Sequence, residues 1–288
     1  MTLDTTSYAI PVARSAAALR EAVARWRREG LTVALVPTMG ALHDGHLSLA
    51  DLGRQRADRV IVSIFVNPTQ FAPHEDFSSY PRTEAADAAR LEGKAHLIYA
   101  PDAADMYPQG FSTTVSLTGV TEPLEGTFRP THFAGVATVV AKLILRAMPD
   151  IAIFGEKDWQ QLMVIRRMVA DLDIPVEILG GAIMREADGL AMSSRNVYLS
   201  PEERKAAGQL NLILRDTAAS VAKGARISDA TAEGARRILA LGFDKLDYLE
   251  IRDAASLAAF PDDRPTAPAR ILVAAKIGKT RLIDNMPV

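Results

Sequence analysis

Two histidines three residues apart, His43 and His46, stand in the run Pro37-Thr38-Met39-Gly40-Ala41-Leu42-His43-Asp44-Gly45-His46. The apolar run Val33–Val36 before it reads as a buried strand that Pro37 ends, and the pattern after it reads as a helix beginning near Gly45. On a first helical turn both imidazoles lie on one face. The same turn offers unpaired backbone N–H groups and the positive end of the helix dipole, which suit an anion such as phosphate. Gly40 and Gly45 let the main chain approach a ligand closely. Taken alone, an H-x-x-H can equally be a turn with two surface histidines. Zinc is disfavoured by zero Cys and by only three further His, at 74, 96 and 132.

Three other segments carry side chains of the same kind. Ser63–Phe71 is an apolar strand running into Asn67-Pro68-Thr69-Gln70. In an open α/β sheet the ligand crevice lies beyond the carboxyl ends of the strands, so Asn67 and Gln70 point where a substrate sits. An amide there can donate and accept at once. Phe154-Gly155-Glu156-Lys157-Asp158-Trp159-Gln160-Gln161 is again a strand end entering a helix. Lys157 is a point charge suited to polyphosphate, Asp158 can cap the helix or hold Mg²⁺, and Gln161 faces the same mouth. In Arg185–Asn196, Met192-Ser193-Ser194-Arg195 joins hydroxyls to a guanidinium that can grip phosphate oxygens and carry transition-state charge. Each segment also has a bland reading as a turn, a solvated helix start or a linker.

The elements that must position these groups follow from periodicity. Ser15–Glu29 reads as a helix capped by Ser15, strands are expected at 32–36, 60–66, 95–99, 151–154 and 176–179, and helices at about 46–57, 83–92, 133–147 and 158–172. Short apolar strands alternating with helices predict an α/β fold with a parallel sheet covered on both faces. Phe111–Leu117 reads as an added strand outside that alternation. Beyond Gly180-Gly181 come a loop-rich stretch, a long helix over 201–222, a second at 228–241, and strands at 246–252, 270–277 and 280–285. This predicts a small α+β domain over 181–288 following a first domain over 1–180.

Composition sets the outer bounds. The 288 residues are 48% hydrophobic and 24% charged, as in ordinary globular proteins, and the formal net charge of −2 supplies no global basic field for nucleic acid or anionic membrane. The absence of Cys fits a reducing compartment. Met1–Ile10 has no basic and apolar leader pattern, and no uncharged run approaches 18 residues, so a soluble, cytoplasmic chain is expected.

In order and spacing, P-T-M-G-A-L-H-x-G-H, N-P-T-Q-F, F-G-E-K-D-x-Q-Q and D-G-L-A-M-S-S-R-N resemble the pantoate–β-alanine ligase (pantothenate synthetase) family. The resemblance covers essentially the whole chain, and Tyr80–Thr83 and Gly135–Leu143 also fit it. H-x-G-H and M-S-S-R are similar to the HIGH and KMSKS signatures of class I aminoacyl-tRNA synthetases and nucleotidylyltransferases, which implies adenylate chemistry. The resemblance implies a Rossmann-like doubly wound first domain, a smaller C-terminal lid, a homodimer, and conversion of pantoate, ATP and β-alanine to pantothenate, AMP and pyrophosphate with Mg²⁺. By motif, it implies that Met39, Gly40, Ala41, Leu42, His43, Asp44, Gly45 and His46 lie along ATP, with His46 as proton donor. Gly155, Glu156, Lys157, Asp158, Met192, Ser193, Ser194 and Arg195 complete that site. Met184 stands where the family usually has Val on the adenine side. Gln70 and Gln161, with Asn67, would hold pantoate, and Gln70 would also lie near β-alanine. His43, His46, Lys157 and Arg195 would serve the transition state. Asp158 and Asp87 are the candidate Mg²⁺ ligands, while Arg129 and His132 border the site without an assigned role. Two rivals share part of this logic: a tRNA-charging or nucleotidyl-transferring enzyme, and a regulatory module that binds adenine nucleotide without turnover.

Overall fold

The computed structural model describes residues 3–5, 7–73 and 75–288. The first 181 residues build a sheet from β1 (Val12–Ala13), β2 (Val33–Thr38), β3 (Arg59–Ile64), β4 (Leu97–Tyr99), β5 (Ile151–Gly155) and β6 (Glu177–Gly181). Its spatial order is β1-β4-β3-β2-β5-β6 and the pairings between these strands are parallel. The alternation along β2 explains why both faces are covered. Val33 and Leu35 enter one core with Leu19 and Trp26 of α1 (Ala16–Arg28) and with α6 (His132–Ala147) and α7 (Trp159–Asp171). Ala34 and Val36 enter the opposite core with Leu49 of α2 (Asp44–Arg56) and Leu91 of α3 (Glu84–Leu91). A strand buried on both sides reads as an unbroken apolar run, and β2 does so.

The chain builds outward from β2 through β3 to β4, then returns to place β5 on the other flank of β2. That reversal is the topological switch point, where an open α/β sheet gapes at its carboxyl edge. Local pattern ends β2 at Pro37; the strand in fact continues to Thr38. Pairing with β5 ends at Leu35↔Ala152 while pairing with β3 runs on through Pro37↔Ser63 to Thr38↔Ile64. The missing N–H of Pro37 therefore falls where the sheet has already parted.

Short helices α4 (Ala103–Met106) and α5 (Glu125–Phe128) lie between β4 and α6. Phe111–Leu117 is not the strand expected: the Val115 N–H donates to the Thr138 hydroxyl (2.9 Å), so a side chain of α6 takes the place of a sheet neighbour. The helix expected over 201–222 is two, α8 (Pro201–Gly208) and α9 (Leu210–Ala222), because at Gln209 the N–H turns back to Ala206. With α10 (Ile227–Ala240) they cover an antiparallel meander of β7 (Lys245–Asp253), β8 (Ala269–Ile277) and β9 (Thr280–Pro287). Along β8, Ile271, Val273 and Ala275 face these helices, and Leu272 and Ala274 join the core of α6 and α7. The small sheet thus rests on the layer of helices that covers the large one. No helix among the described residues is long and apolar enough to cross a membrane.

Gly135 is where α6 reaches the turn after β3. A Cβ there would run into the Thr69 carbonyl oxygen and sit 2.8 Å from the Gln70 nitrogen, both main-chain atoms. Gly135→Ala is expected to lower unfolding stability by about 1–3 kcal/mol, read as a reduced urea midpoint. An unchanged midpoint would mean that helix and turn slide apart freely.

Candidate active site

At the switch point lies a cleft of about 1080 Å³. The turn from β2 into α2 forms its floor. His43 is the N-cap of α2, and its N–H donates to His46 Nδ1 (3.3 Å). That bond fixes the His46 tautomer: Nδ1 accepts, so the proton sits on Nε2. The two rings lie 4.1 Å apart, tilted by 43°. Burial, then Lys157 and Arg90, pushes His43 down to about 4; burial, then His43 and Lys157, pushes His46 down to about 3. Both imidazoles are uncharged at neutral pH, and His46 offers an N–H rather than a transferable charge.

The turn is held from behind. Gly40 (φ +81°) and Ala41 (φ +50°) are both in the left-handed region, and the buried Asp87 carboxylate accepts from the N–H groups of Ala41 (3.0 Å) and Leu42 (2.8 Å) and from the Thr83 hydroxyl (3.2 Å). A Cβ on Gly40 would press on that carboxylate at 3.1 Å.

A second wall comes from the segment after β3. Asn67 caps the short turn Pro68–Gln70 and is 1% exposed. Its Nδ2 donates to Gln70 Oε1 (3.0 Å) and to the Gly135 carbonyl (3.2 Å). Gln70 Nε2 approaches Met39 Sδ (3.1 Å). The Gln70 carbonyl accepts from Arg129 Nη2 (3.3 Å) and lies 2.9 Å from His132 Nδ1, which must then carry the proton. His132 has the opposite tautomer to His46, leaving Nε2 as an acceptor. Burial, then Arg129, pushes it down to about 4.

The turn after β5 supplies Lys157, Asp158 and Gln161 to the cleft. It is clamped from β9: Asn285 Nδ2 donates to the carbonyls of Glu156 (3.0 Å) and Lys157 (2.8 Å). Arg270 stacks 3.5 Å from the Trp159 ring centre and pairs with Glu156 (3.2 Å). Above the cleft, Ser194 Oγ meets the Tyr80 hydroxyl at 3.2 Å, and Arg195 forms a two-point pair with Asp76 (3.0 and 2.9 Å). Glu125 ties α5 to the small sheet, accepting from Tyr248 of β7 (2.8 Å) and from both Arg281 Nη atoms of β9 (2.9 and 2.7 Å).

Residues 11–287 match the Pantoate-beta-alanine ligase family. The chain belongs to that family. A pantothenate synthetase from Rhodospirillum rubrum is 58% identical over 281 residues, 97% of this chain and 99% of the relative. One from Caulobacter vibrioides is 56% identical over 96% of this chain and 98% of its own length. Among solved structures, pantothenate synthetase from Thermus thermophilus superposes with a TM-score of 0.89 at 44% identity, covering 96% of this chain and 98% of that one. Pantoate-beta-alanine ligase from Francisella tularensis, complexed with beta-gamma ATP and beta-alanine, gives 0.80 at 33% identity, covering 96% and 97%.

In this ligase-family member residues of all four motifs line one cleft: Met39, His43, Gly45, His46, Asn67, Gln70, Gly155, Lys157, Asp158, Gln161, Met184 and Met192–Arg195. Several individual assignments change. Gly40, Ala41, Leu42 and Asp44 lie off the cleft lining: the first three shape the turn, with Leu42 in the core, and Asp44 pairs with Arg90 outside. Glu156 turns away to Arg270. Asn67 lines the cleft with its amide engaged by its neighbours: Nδ2 donates twice, and Oδ1 accepts from Thr69 N–H (3.3 Å), the Thr69 hydroxyl (3.0 Å) and the Tyr107 hydroxyl (2.7 Å). Asp87 is a main-chain anchor with its oxygens engaged, which removes it as a Mg²⁺ ligand. Asp158 makes no capping bond to α7; its carboxylate is 44% exposed, 3.9 Å from Lys157.

Asp76, Glu125 and Asn285 stand outside the residues that the sequence singles out. Asn285 has a signal: with Asp284 it is a polar pair inside an otherwise apolar strand end, and both prove buried. Asp76 becomes visible only once Arg195 is placed beside it.

His43, His46 and His132 fold with pKa values below the ordinary 6.5. Between about pH 6.5 and 4 the unfolded chain therefore binds more protons, so stability present above 6.5 is lost as pH falls toward 4. Urea unfolding is expected to show this loss from pH 7 to 5. His132→Gln, which keeps a donor for the Gln70 carbonyl, should reduce the loss by on the order of 1 kcal/mol. An equal loss in the variant would show that His132 titrates normally when folded.

Proposed function

We propose that this chain condenses pantoate with β-alanine in two steps, with ATP activating the acid as an adenylate. The observation that carries this reading is that Lys157, the His46 Nε2–H and the Ser193–Arg195 turn share one cleft with the Gln70 and Gln161 amides. One group of side chains suits a polyphosphate and the other a hydroxy acid. Phe133, Val136, Val139 and Val140 of α6 line the same cleft and suit the paired methyls of pantoate.

A carboxylate is a poor electrophile toward an amine. In the first step a pantoate oxygen attacks the α-phosphorus of ATP, the bond to the β-bridging oxygen breaks, and pyrophosphate departs. Charge grows on the leaving oxygens, where Lys157, Arg195 and the neutral His46 donor act electrostatically. Arg195 exchanges one anionic partner, Asp76, for another. In the second step the β-alanine amine attacks the acyl carbon, AMP leaves with its oxygen, and the amine loses a proton. Orientation and exclusion of water matter most here, because water competes for the mixed anhydride.

Mg²⁺ belongs to the same proposal. No group of three or more His, Cys, Asp or Glu side chains that could hold a metal occurs among the described residues. Asp158, exposed on the cleft, fits a cation that arrives on the triphosphate and takes a single protein carboxylate. Bound there, the ion would neutralise charge on the departing pyrophosphate. The division near residue 180, the lid role of the second part, the homodimer and a cytoplasmic location complete the proposal.

Pantoate-dependent exchange of labelled pyrophosphate into ATP, with Mg²⁺ and without β-alanine, tests the first step. Exchange is expected with pantoate and not with amino acids, and its absence together with absent β-alanine-dependent AMP formation would overturn the ligase reading. His46→Ala should slow exchange by about 10²-fold or more with the unfolding midpoint retained. Near-normal exchange by that variant would remove His46 from the adenylation step.

A further inference from the structure

Neither cation of the proposed chemistry keeps a partner at its tip once a polyphosphate arrives. Lys157 Nζ stands 3.9 Å from Asp158, beyond hydrogen-bond reach, and Arg195 is paired with Asp76, the partner that a polyphosphate displaces. Both side chains must then be placed from their main chains, and both main-chain segments are tied to β9 at adjacent residues. Asn285 Nδ2 gives its two hydrogens to the carbonyls of Glu156 and Lys157, while Oδ1 accepts from Arg270 Nε (2.5 Å). Carbonyls only accept and a guanidinium only donates, so this amide has one orientation. The Asp284 carboxylate accepts from Arg185 Nη1 and Nη2 (2.7 and 2.9 Å) and from the Asn285 N–H (2.7 Å). Arg185 is the base of a hairpin: it pairs with Ala191, the Met192 N–H donates to the Met184 carbonyl (3.0 Å), and Arg195 follows three residues on. Asp284 and Asn285 lie opposite Val273 and Leu272 of β8, which enter different cores, so one side chain points to each segment.

We infer that Asp284 and Asn285 are positioning residues that act as a spacer: facing opposite ways from one strand, they fix the separation between Lys157 and Arg195. The inference rests on the proposed function for the reaction those cations serve. Adjacent Cα atoms stay about 3.8 Å apart however the small sheet moves, so the Lys157 turn and the Arg195 hairpin travel with β9 as one unit. Both residues border the cleft, yet both are buried and their polar atoms are engaged by these ties. A carboxylate in place of the Asn285 amide has nearly the same shape but turns an acceptor toward two carbonyl acceptors, so it keeps the Arg270 contact and releases the turn. Losing the charge at Asp284 loosens the base of the hairpin and leaves the Lys157 turn tied.

The test is a pair of double-mutant cycles in the full chain, read as pantoate-dependent exchange of pyrophosphate into ATP. Asn285→Asp is expected to slow exchange by about 10²-fold in the parent and to change it by less than about threefold when Lys157 is already Ala. Asp284→Asn is expected to slow it by about tenfold in the parent and by less than about threefold when Arg195 is already Ala. Exchanging the backgrounds is the control: Asn285→Asp should keep its effect in Arg195→Ala, and Asp284→Asn in Lys157→Ala. Equal losses in every background mark a general structural defect and would overturn the inference, as would parent-like exchange by either variant. Asn285→Ser, which keeps one donor, should lose about tenfold and replaces Asn285→Asp in the cycle if that chain does not fold. A crystal structure of the Asn285 variant reads the turn directly. The main chain over 156–158 should shift by about 1 Å or more while the 184–192 hairpin stays in place, and an unmoved turn would overturn the spacer. If the parent shows no pantoate-dependent exchange, the proposed function falls while that structure still decides the role of Asn285.

Discussion

The buried carboxylate of Asp87 is the contact on which the cleft floor depends. The chain must leave β2, reverse through two left-handed residues and begin α2 with His43 already facing inward. Ala41 has a Cβ and resists that conformation, at a cost of order 1–2 kcal/mol. Its N–H and that of Leu42 are main-chain donors that would be orphaned in a core-facing turn, and Asp87 accepts from both. A charge 2% exposed is tolerated because charge-assisted bonds satisfy it. The same bonds set where His46 stands, so an acid on α3, remote in sequence, governs the reach of the imidazoles.

Above that floor, the small sheet is attached at several points of different character. Asn285 grips main-chain carbonyls of the Lys157 turn, and Arg281 and Tyr248 converge on Glu125. For Glu125, burial acts to raise the carboxyl, but Arg281 outweighs it and holds it below the usual range. Asp76 and Arg195 differ: both stay partly exposed, 28% and 31%, at the cleft edge. Breaking a partly exposed ion pair costs far less than stripping one partner from a buried one. An incoming polyphosphate can compete for Arg195 much more readily than anything could displace Glu125 from Arg281.

How much of this is legible in the sequence depends on the kind of interaction. Strand β2, helix α1 with its Ser15 cap, and a parallel sheet covered on both faces follow from local periodicity and stand within a few residues of expectation, while the doubly wound order is what the family resemblance implies. The elements that depart from expectation share a cause. At Pro37, Phe111–Leu117 and Gln209 a local rule misleads, because the conformation is decided by contacts absent from the local string: a sheet already parted, a threonine on α6, a one-residue break between helices. The motifs locate the cleft. They do not separate residues with polar atoms left free from residues whose polar atoms are committed to the scaffold, because Asn67 and Gln70, or Gln160 and Gln161, are chemically alike. Gln160 is 4% exposed, with its amide bonded to the carbonyls of Val120 and Pro123 and to the Glu125 N–H, and it is scaffold.

Hydrogen-bond direction is the property least visible in composition, and here it organises the cleft. His46 accepts at Nδ1 from a main-chain N–H and so presents a donor; His132 donates at Nδ1 to a main-chain carbonyl and so presents an acceptor. Neither ring carries charge at neutral pH. The fixed positive charge in the cleft therefore comes from lysine and arginine side chains, Lys157 and Arg195 among them, while the imidazoles and the Gln70 amide present oriented dipoles. Such a division suits chemistry in which a carboxylate must approach a triphosphate. In the proposed reaction, cations such as Lys157 and Arg195 would offset the anionic partners, and neutral donors would distinguish oxygen positions without drawing the carboxylate into a tight ion pair that blunts its nucleophilicity.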